Sequence, residues 1–154
     1  MIKQFTLQPV MNLAQHRKES ATRELGQLNK QQHNAQEKLD MLLRYRKDYQ
    51  TRLQELSQSG MAPADLRNFQ QFIDKLDEAI VQQRKVVVTS NVSVQAGRSE
   101  LDMTHRKLQS FTTLLERHLE EQKKVEAKSE QRALDEHTGR FTALRMQKTD
   151  NPKD

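Results

Sequence analysis

The stretch that constrains this chain most is Ser57-Gln58-Ser59-Gly60-Met61-Ala62-Pro63, the one place where Gly and Pro fall close together. On either side of it the apolar residues keep a 3-4 spacing for many turns. Backward they are Leu56, Leu53, Tyr49, Leu42 and Leu39; forward they are Leu66, Phe69, Ile73, Leu76 and Ile80. That period belongs to a helix with one apolar stripe, and Gly with Pro punctuates local structure, so the stretch reads as a sharp turn between two long helices.

The patterning extends over most of the chain. Before the turn, one class of heptad positions runs Leu7, Ala14, Ala21, Leu28, Ala35, Leu42, Tyr49, Leu56. The other runs Met11, Lys18, Leu25, Gln32, Leu39, Arg46, Leu53, with polar residues at Lys18, Gln32 and Arg46. Pro9 suits a first helical turn, where its missing N–H is no loss. At 1.5 Å per residue, helix one is about 75 Å long. After the turn the seam is Leu66, Phe69, Ile73, Leu76, Ile80, Gln83, Val87, Ser90, Val94, Gly97, Leu101, Thr104, Leu108, Phe111, Leu115. The run Val86-Val87-Val88-Thr89-Ser90-Asn91-Val92 has weak helix propensity and in isolation reads as a strand. The seam passes through it without a change of phase, so helix is the reading.

With 34% hydrophobic, 31% charged and 5% aromatic residues in 154, there is too little apolar material for a layered globular core. Four Gly and three Pro leave few turns, so the elements must be long. The expected fold class is therefore all-α: two long helices in an antiparallel coiled-coil hairpin, the second overhanging the first. The expected organisation is a single antiparallel coiled-coil domain at 1–148, with helix one at about 5–56, the turn at 57–63, helix two at about 64–145, and a disordered tail at 149–154. Pairing Leu56 with Leu66 and counting outward sets Arg46 against Leu76, Gln32 against Ser90, Leu25 against Gly97 and Lys18 against Thr104. Small residues (Ala14, Ala21, Gly97) then meet large ones, and two of the polar residues, Gln32 and Lys18, meet polar partners. Past Leu119 helix two becomes a polar helix with no partner stripe, and apolar character returns around Leu134, Phe141 and Leu144 in a new phase.

Little points to chemistry. The chain has no Cys and no phosphate-cradling GxxxxGK[ST] loop. His16, His33, His105, His118 and His137 are scattered without HExxH or paired spacing. A helix pair offers no enclosed pocket in which to shift a carboxylate pKa, so the expectation is a non-enzymatic protein with no metal and no cofactor. No run of about 18 apolar residues suggests a membrane span, and the start Met1-Ile2-Lys3-Gln4-Phe5-Thr6-Leu7 lacks the apolar core of a secretory signal, which places the expected location in the cytoplasm. The net charge of +5 is interspersed with acids, and the longest basic cluster, Arg44-Tyr45-Arg46-Lys47, is too short to argue for nucleic acid.

One asymmetry stands out. With Leu39, Arg46, Ile73 and Ile80 as a positions and Leu42, Tyr49, Leu76 and Gln83 as d, the g rows hold Lys38, Tyr45, Phe72, Ala79 and Val86. The e rows hold Leu43, Gln50, Gln70, Asp77 and Arg84. Antiparallel pairing puts both g rows on one side, so that side presents aromatic and aliphatic side chains beside an otherwise charged surface, the composition of a binding hot spot.

These residues also carry a resemblance. Leu42, Tyr45, Tyr49, Gly60, Asn68-Phe69-Gln70-Gln71-Phe72-Ile73, Leu76 and Ala79-Ile80, with the later Leu134-Asp135-Glu136, resemble the FliJ family of the bacterial flagellar type III export apparatus. The resemblance covers nearly the whole chain and is strongest from Leu39 to Gln83. It implies a cytoplasmic coiled-coil stalk, peripherally associated with the inner membrane at the flagellar base through its partners. Those partners would be the export ATPase hexamer and its regulator, the cytoplasmic domain of the export gate protein, and export chaperones that it escorts and recycles. Export-gate binding carries over to Lys38, Leu42, Tyr45, Tyr49, Phe72, Leu76, Ala79 and Gln83. ATPase-binding candidates at the overhanging end are Lys3, Arg132, Asp135, Glu136, Arg140 and Arg145. The free protein is expected to be a monomer. The competing readings are a generic dimerising coiled-coil scaffold unrelated to secretion, and a basic coiled coil that grips RNA.

Overall fold

The computed structural model describes residues 4–150, and among them it contains two helices and no strand: α1, Gln8–Gln58, and α2, Pro63–Thr149. They form an all-α helical hairpin. The described residues divide into two compact units, Ala14–Arg106, and the described part of Met1–Leu13 together with Lys107–Asp154.

Local chemistry sets the helix ends. Phe5 C=O accepts a hydrogen bond from Gln8 N–H at 3.1 Å, so a tight turn precedes α1 and the helix begins three residues later than about 5. Pro9 falls in its first turn, as expected. At the other end Ser59 N–H reaches back to Glu55 C=O at 3.3 Å, and Ser57 Oγ donates to Gln54 C=O at 3.1 Å. Gly60 then adopts φ +83°, a left-handed conformation that any L side chain would strain. Pro63 opens α2, and Asp65 in its first turn faces the positive end of the helix dipole.

In the unit Ala14–Arg106, α1 buries Ala14, Ala21, Ala35 and Leu39, and α2 buries Leu76, Ile80, Val87 and Val94. Small residues on one helix thus serve large ones on the other, as close packing requires. Ala35, Leu39, Ile80 and Val87 form one cluster with Leu42 against it. Val94, 1% exposed, is the one fully buried side chain among the described residues. The expected register is kept at Gly97: a Cβ there would lie 2.9 Å from Leu28 Cδ1 and 3.3 Å from Leu25 Cδ1, so the absent side chain is the space those leucines fill.

Polar pairings differ from expectation in detail. Gln32 donates from Nε2 to Asn91 Oδ1 rather than meeting Ser90, whose hydroxyl donates to Val87 C=O of its own helix at 2.8 Å. Thr104 is likewise satisfied within α2, donating to Leu101 C=O at 2.9 Å, which leaves Lys18 half-buried without needing it as a partner. Arg46 turns past Leu76 to Asp77. The valine-rich run stays helical because Val87 and Val94 lie in the interface, and burial outweighs weak propensity.

In the second unit the rings of Phe5 and His118 lie 5.5 Å apart, and Met11, Leu108, Phe111 and Leu115 are half-buried. After Gln122 every residue to 150 is exposed although α2 continues unbroken to Thr149. The helix therefore outruns the expected end near 145; Lys148 suits the negative end of the dipole, and Thr149 Oγ donates to Met146 C=O at 2.8 Å. Residues 151–154 of the expected tail lie outside the described residues.

Candidate functional site

The hairpin unit carries a patch in which aromatic side chains come out of the seam rather than into it. Tyr49, half-buried at a d position, has its ring 4.4 Å from the ring of Phe72 and 6.1 Å from that of Phe69. Such tilted aromatic pairs add to simple burial and hold ring orientation. Phe72 remains 42% exposed and Tyr45 49% exposed. Leu42 and Ala79 are half-buried beneath them, and Lys38 is exposed. The two remaining residues of the expected gate-binding set are placed differently. Leu76 is buried in the seam. Gln83 is 7% exposed, and its Nε2 donates to Ala35 C=O of the facing helix at 2.9 Å. Their side chains shape the patch from below and are not presented on its surface.

A different arrangement involves Arg46, on the seam beside this patch. Its Nε and Nη2 reach the Asp77 carboxylate, and Nη1 donates to Gln50 Oε1 at 3.1 Å. The hydrogen bond to Asp77, reinforced by that group's charge, holds the guanidinium above its ordinary pKa, so Arg46 is a cation at any physiological pH. In the heptad pattern Arg46 is a polar interruption set against Leu76, and its partner is the neighbouring Asp77 instead. The signal was present: Asp77 occupies the e position next to Leu76, within reach of a long side chain.

The ATPase-binding candidates sit in the second unit, on the exposed part of α2. Arg132, Asp135, Glu136, Arg140 and Arg145 are all exposed; Lys3 lies outside the described residues. Gln131 Nε2 donates to Asp135 Oδ1 at 3.1 Å, and the Arg145 guanidinium stands 5.9 Å from the Phe141 ring centre. Leu134, Phe141 and Leu144, spaced to share one face, are exposed along the same stretch. Among the described residues no group of three His, Cys, Asp or Glu side chains could hold a metal ion. His16 and His33 face Glu19 and Glu37 at 3.8 and 3.0 Å on the open surface. Among the described residues no helix is long and apolar enough to cross a membrane.

Two long helices folded back on each other, with exposed aromatic side chains on one flank, define the class by its fold, an all-α helical hairpin. The chain belongs to the family of flagellar FliJ proteins, whose family model, Flagellar FliJ protein, matches residues 3–147. It is 29% identical to the Flagellar FliJ protein of Escherichia coli (strain K12) over 140 residues, which cover 91% of this chain and 95% of that one. The Flagellar FliJ protein of Salmonella typhi is 28% identical with the same coverage. The solved structure of the Chlamydia trachomatis protein CT670, described as a YscO homolog, shares the fold with a TM-score of 0.65 at 19% identity, over 95% of this chain and 99% of that one. The family is a non-enzymatic component related to flagellar type III protein export.

Proposed function

We propose that this protein is the coiled-coil stalk of the flagellar export apparatus. In this reading one end inserts in the export ATPase ring and the hairpin links that ring to the export gate, while the protein also escorts and recycles export chaperones. It works in the cytoplasm at the flagellar base, touches the membrane only through its partners, and is a monomer when free. The observation that supports the gate contact is the exposure of Tyr45 and Phe72, the two exposed aromatic side chains of the hairpin unit, on the flank that also holds half-buried Tyr49, Leu42 and Ala79. What supports the ATPase contact is the stretch of α2 after Gln122, a polar helix with no covering partner.

The test is a pull-down of the full-length chain with the gate's cytoplasmic domain and with the export ATPase, each separately. Tyr45→Ala combined with Phe72→Ala is expected to abolish gate capture and leave helicity and melting close to wild type. A double variant that still captures the gate removes the assignment of the patch. Velocity sedimentation showing an obligate dimer at micromolar concentration replaces the stalk with a dimerising scaffold.

A further inference from the structure

The apolar flank has an electrostatic frame. Its α1 row reads Lys38, Tyr45, Arg52 at seven-residue spacing, and its α2 row reads Phe72, Ala79, Val86 at the same spacing. The antiparallel register sets Tyr45 across from Ala79, Lys38 across from Val86, and Arg52 across from Phe72. Tyr45, Phe72 and Val86 are each about half exposed, and both cations are exposed. Neither Lys38 nor Arg52 joins an ion pair among the described residues, whereas Arg46 in the seam is held by Asp77. On the next row out Asp48 and Glu55 lie a turn to either side of Arg52, and Asp65 continues the α2 row one heptad before Phe72; none of the three is ion-paired with Lys38 or Arg52.

Two physical constraints narrow the occupant. A helix surface offers no free backbone N–H or C=O, so an extended segment laid along it would leave its own backbone unpaired; a helix brings its hydrogen bonds with it. Ala79 between Phe72 and Val86 leaves a notch, and the repeat along each row, about 10.5 Å for seven residues, equals the spacing of side chains along a second helix. The cations lie at the two ends of the α1 row, about 21 Å apart, with Tyr45 midway.

Resting on the gate contact proposed above, we infer that this flank takes one amphipathic helix of the gate protein as a third strand of the coiled coil. Its apolar side chains face Phe72, Ala79 and Val86, and its carboxylates, about four turns apart, face Lys38 and Arg52. The uncharged stripe gives the affinity and the carboxylates fix direction and position.

The experiment measures binding of the full-length chain to the gate's soluble region, with and without Lys38→Glu plus Arg52→Glu. The double reversal is expected to raise Kd about tenfold and to remove the salt dependence that the wild type shows between 50 and 500 mM NaCl. A photo-reactive phenylalanine in place of Val86 is expected to cross-link to a helical, acidic segment of the gate. If reversal leaves Kd and salt dependence unchanged while Phe72→Ala abolishes binding, the acidic helix is overturned and the gate contact stands. A cross-link mapping to a basic or extended segment overturns the helix equally. A wild-type chain with no measurable binding to the gate overturns both readings.

Discussion

Val94 and Val125 lie on the same helix and in the same seam phase, yet one is 1% exposed and the other 66%. The difference is a partner. In the hairpin unit α1 supplies alanines and leucines against which the α2 stripe packs. After Gln122 every described residue of α2 is exposed, and both its in-phase Val125 and the out-of-phase Leu134, Phe141 and Leu144 stay in solvent. A helix in a protein owes most of its stability to packing of one face, so the two stretches hold the same backbone conformation for different reasons.

Four experiments break or sharpen this contrast, in order of expected effect. Truncation after Glu121 is expected to abolish capture by the export ATPase while gate capture and the main melting transition persist, read by separate pull-downs and circular dichroism; retained ATPase capture reverses the proposed assignment of the ends. Val94→Asp buries an unpaired carboxylate and is expected to cost about 3 kcal/mol or more, whereas Val125→Asp stays within about 0.5 kcal/mol in urea titrations. Glycines give a milder version. Gly97→Leu drives atoms into Leu28 and Leu25 and is expected to destabilise by about 1–3 kcal/mol. Gly139→Ala meets nothing within 4 Å and gains about 1 kcal/mol of local helix stability, visible as slower amide exchange around it. The smallest change is expected for Gln83→Leu, where an apolar side chain replaces a buried amide whose carbonyl acceptor keeps its own helical bond: a melting point unchanged or slightly raised, against a lowered one for Gln83→Ala.

Much of the hairpin was legible before any coordinates. Gly60 and Pro63 mark the bend because they set backbone conformation directly, and the seam residues from Leu66 to Leu115 are all at least half-buried because a 3-4 repeat fixes which backbone positions face inward. The same repeat fixes nothing about where a long side chain goes. Gln32 reaches Asn91 and Arg46 reaches Asp77, each one residue beyond its layer mate, since rotamers choose the better hydrogen-bonding group. Ser90 and Thr104 look like cross-helix partners in sequence, but their hydroxyls are within reach of carbonyls a turn back. The end of α2 was misplaced for a related reason: a polar tail composition suggested disorder, while no helix breaker intervenes before Pro152. The patch was readable as a row of residues, and the d positions of Leu76 and Gln83 already put them in the seam, where both are buried; their place in the expected gate-binding set came from the family resemblance and not from the heptad pattern.

The single bend at Gly60 also dictates how the hairpin unit is assembled in time. Its cross-helix bonds join residues 31 apart at Arg46–Asp77, 48 at Ala35–Gln83 and 59 at Gln32–Asn91. Each further contact closes a longer loop unless those nearer the bend already hold, so folding is expected to run as a zipper from the turn outward. A residue that resists left-handed φ at position 60 should slow refolding, whereas damage around Val94 should chiefly hasten unfolding.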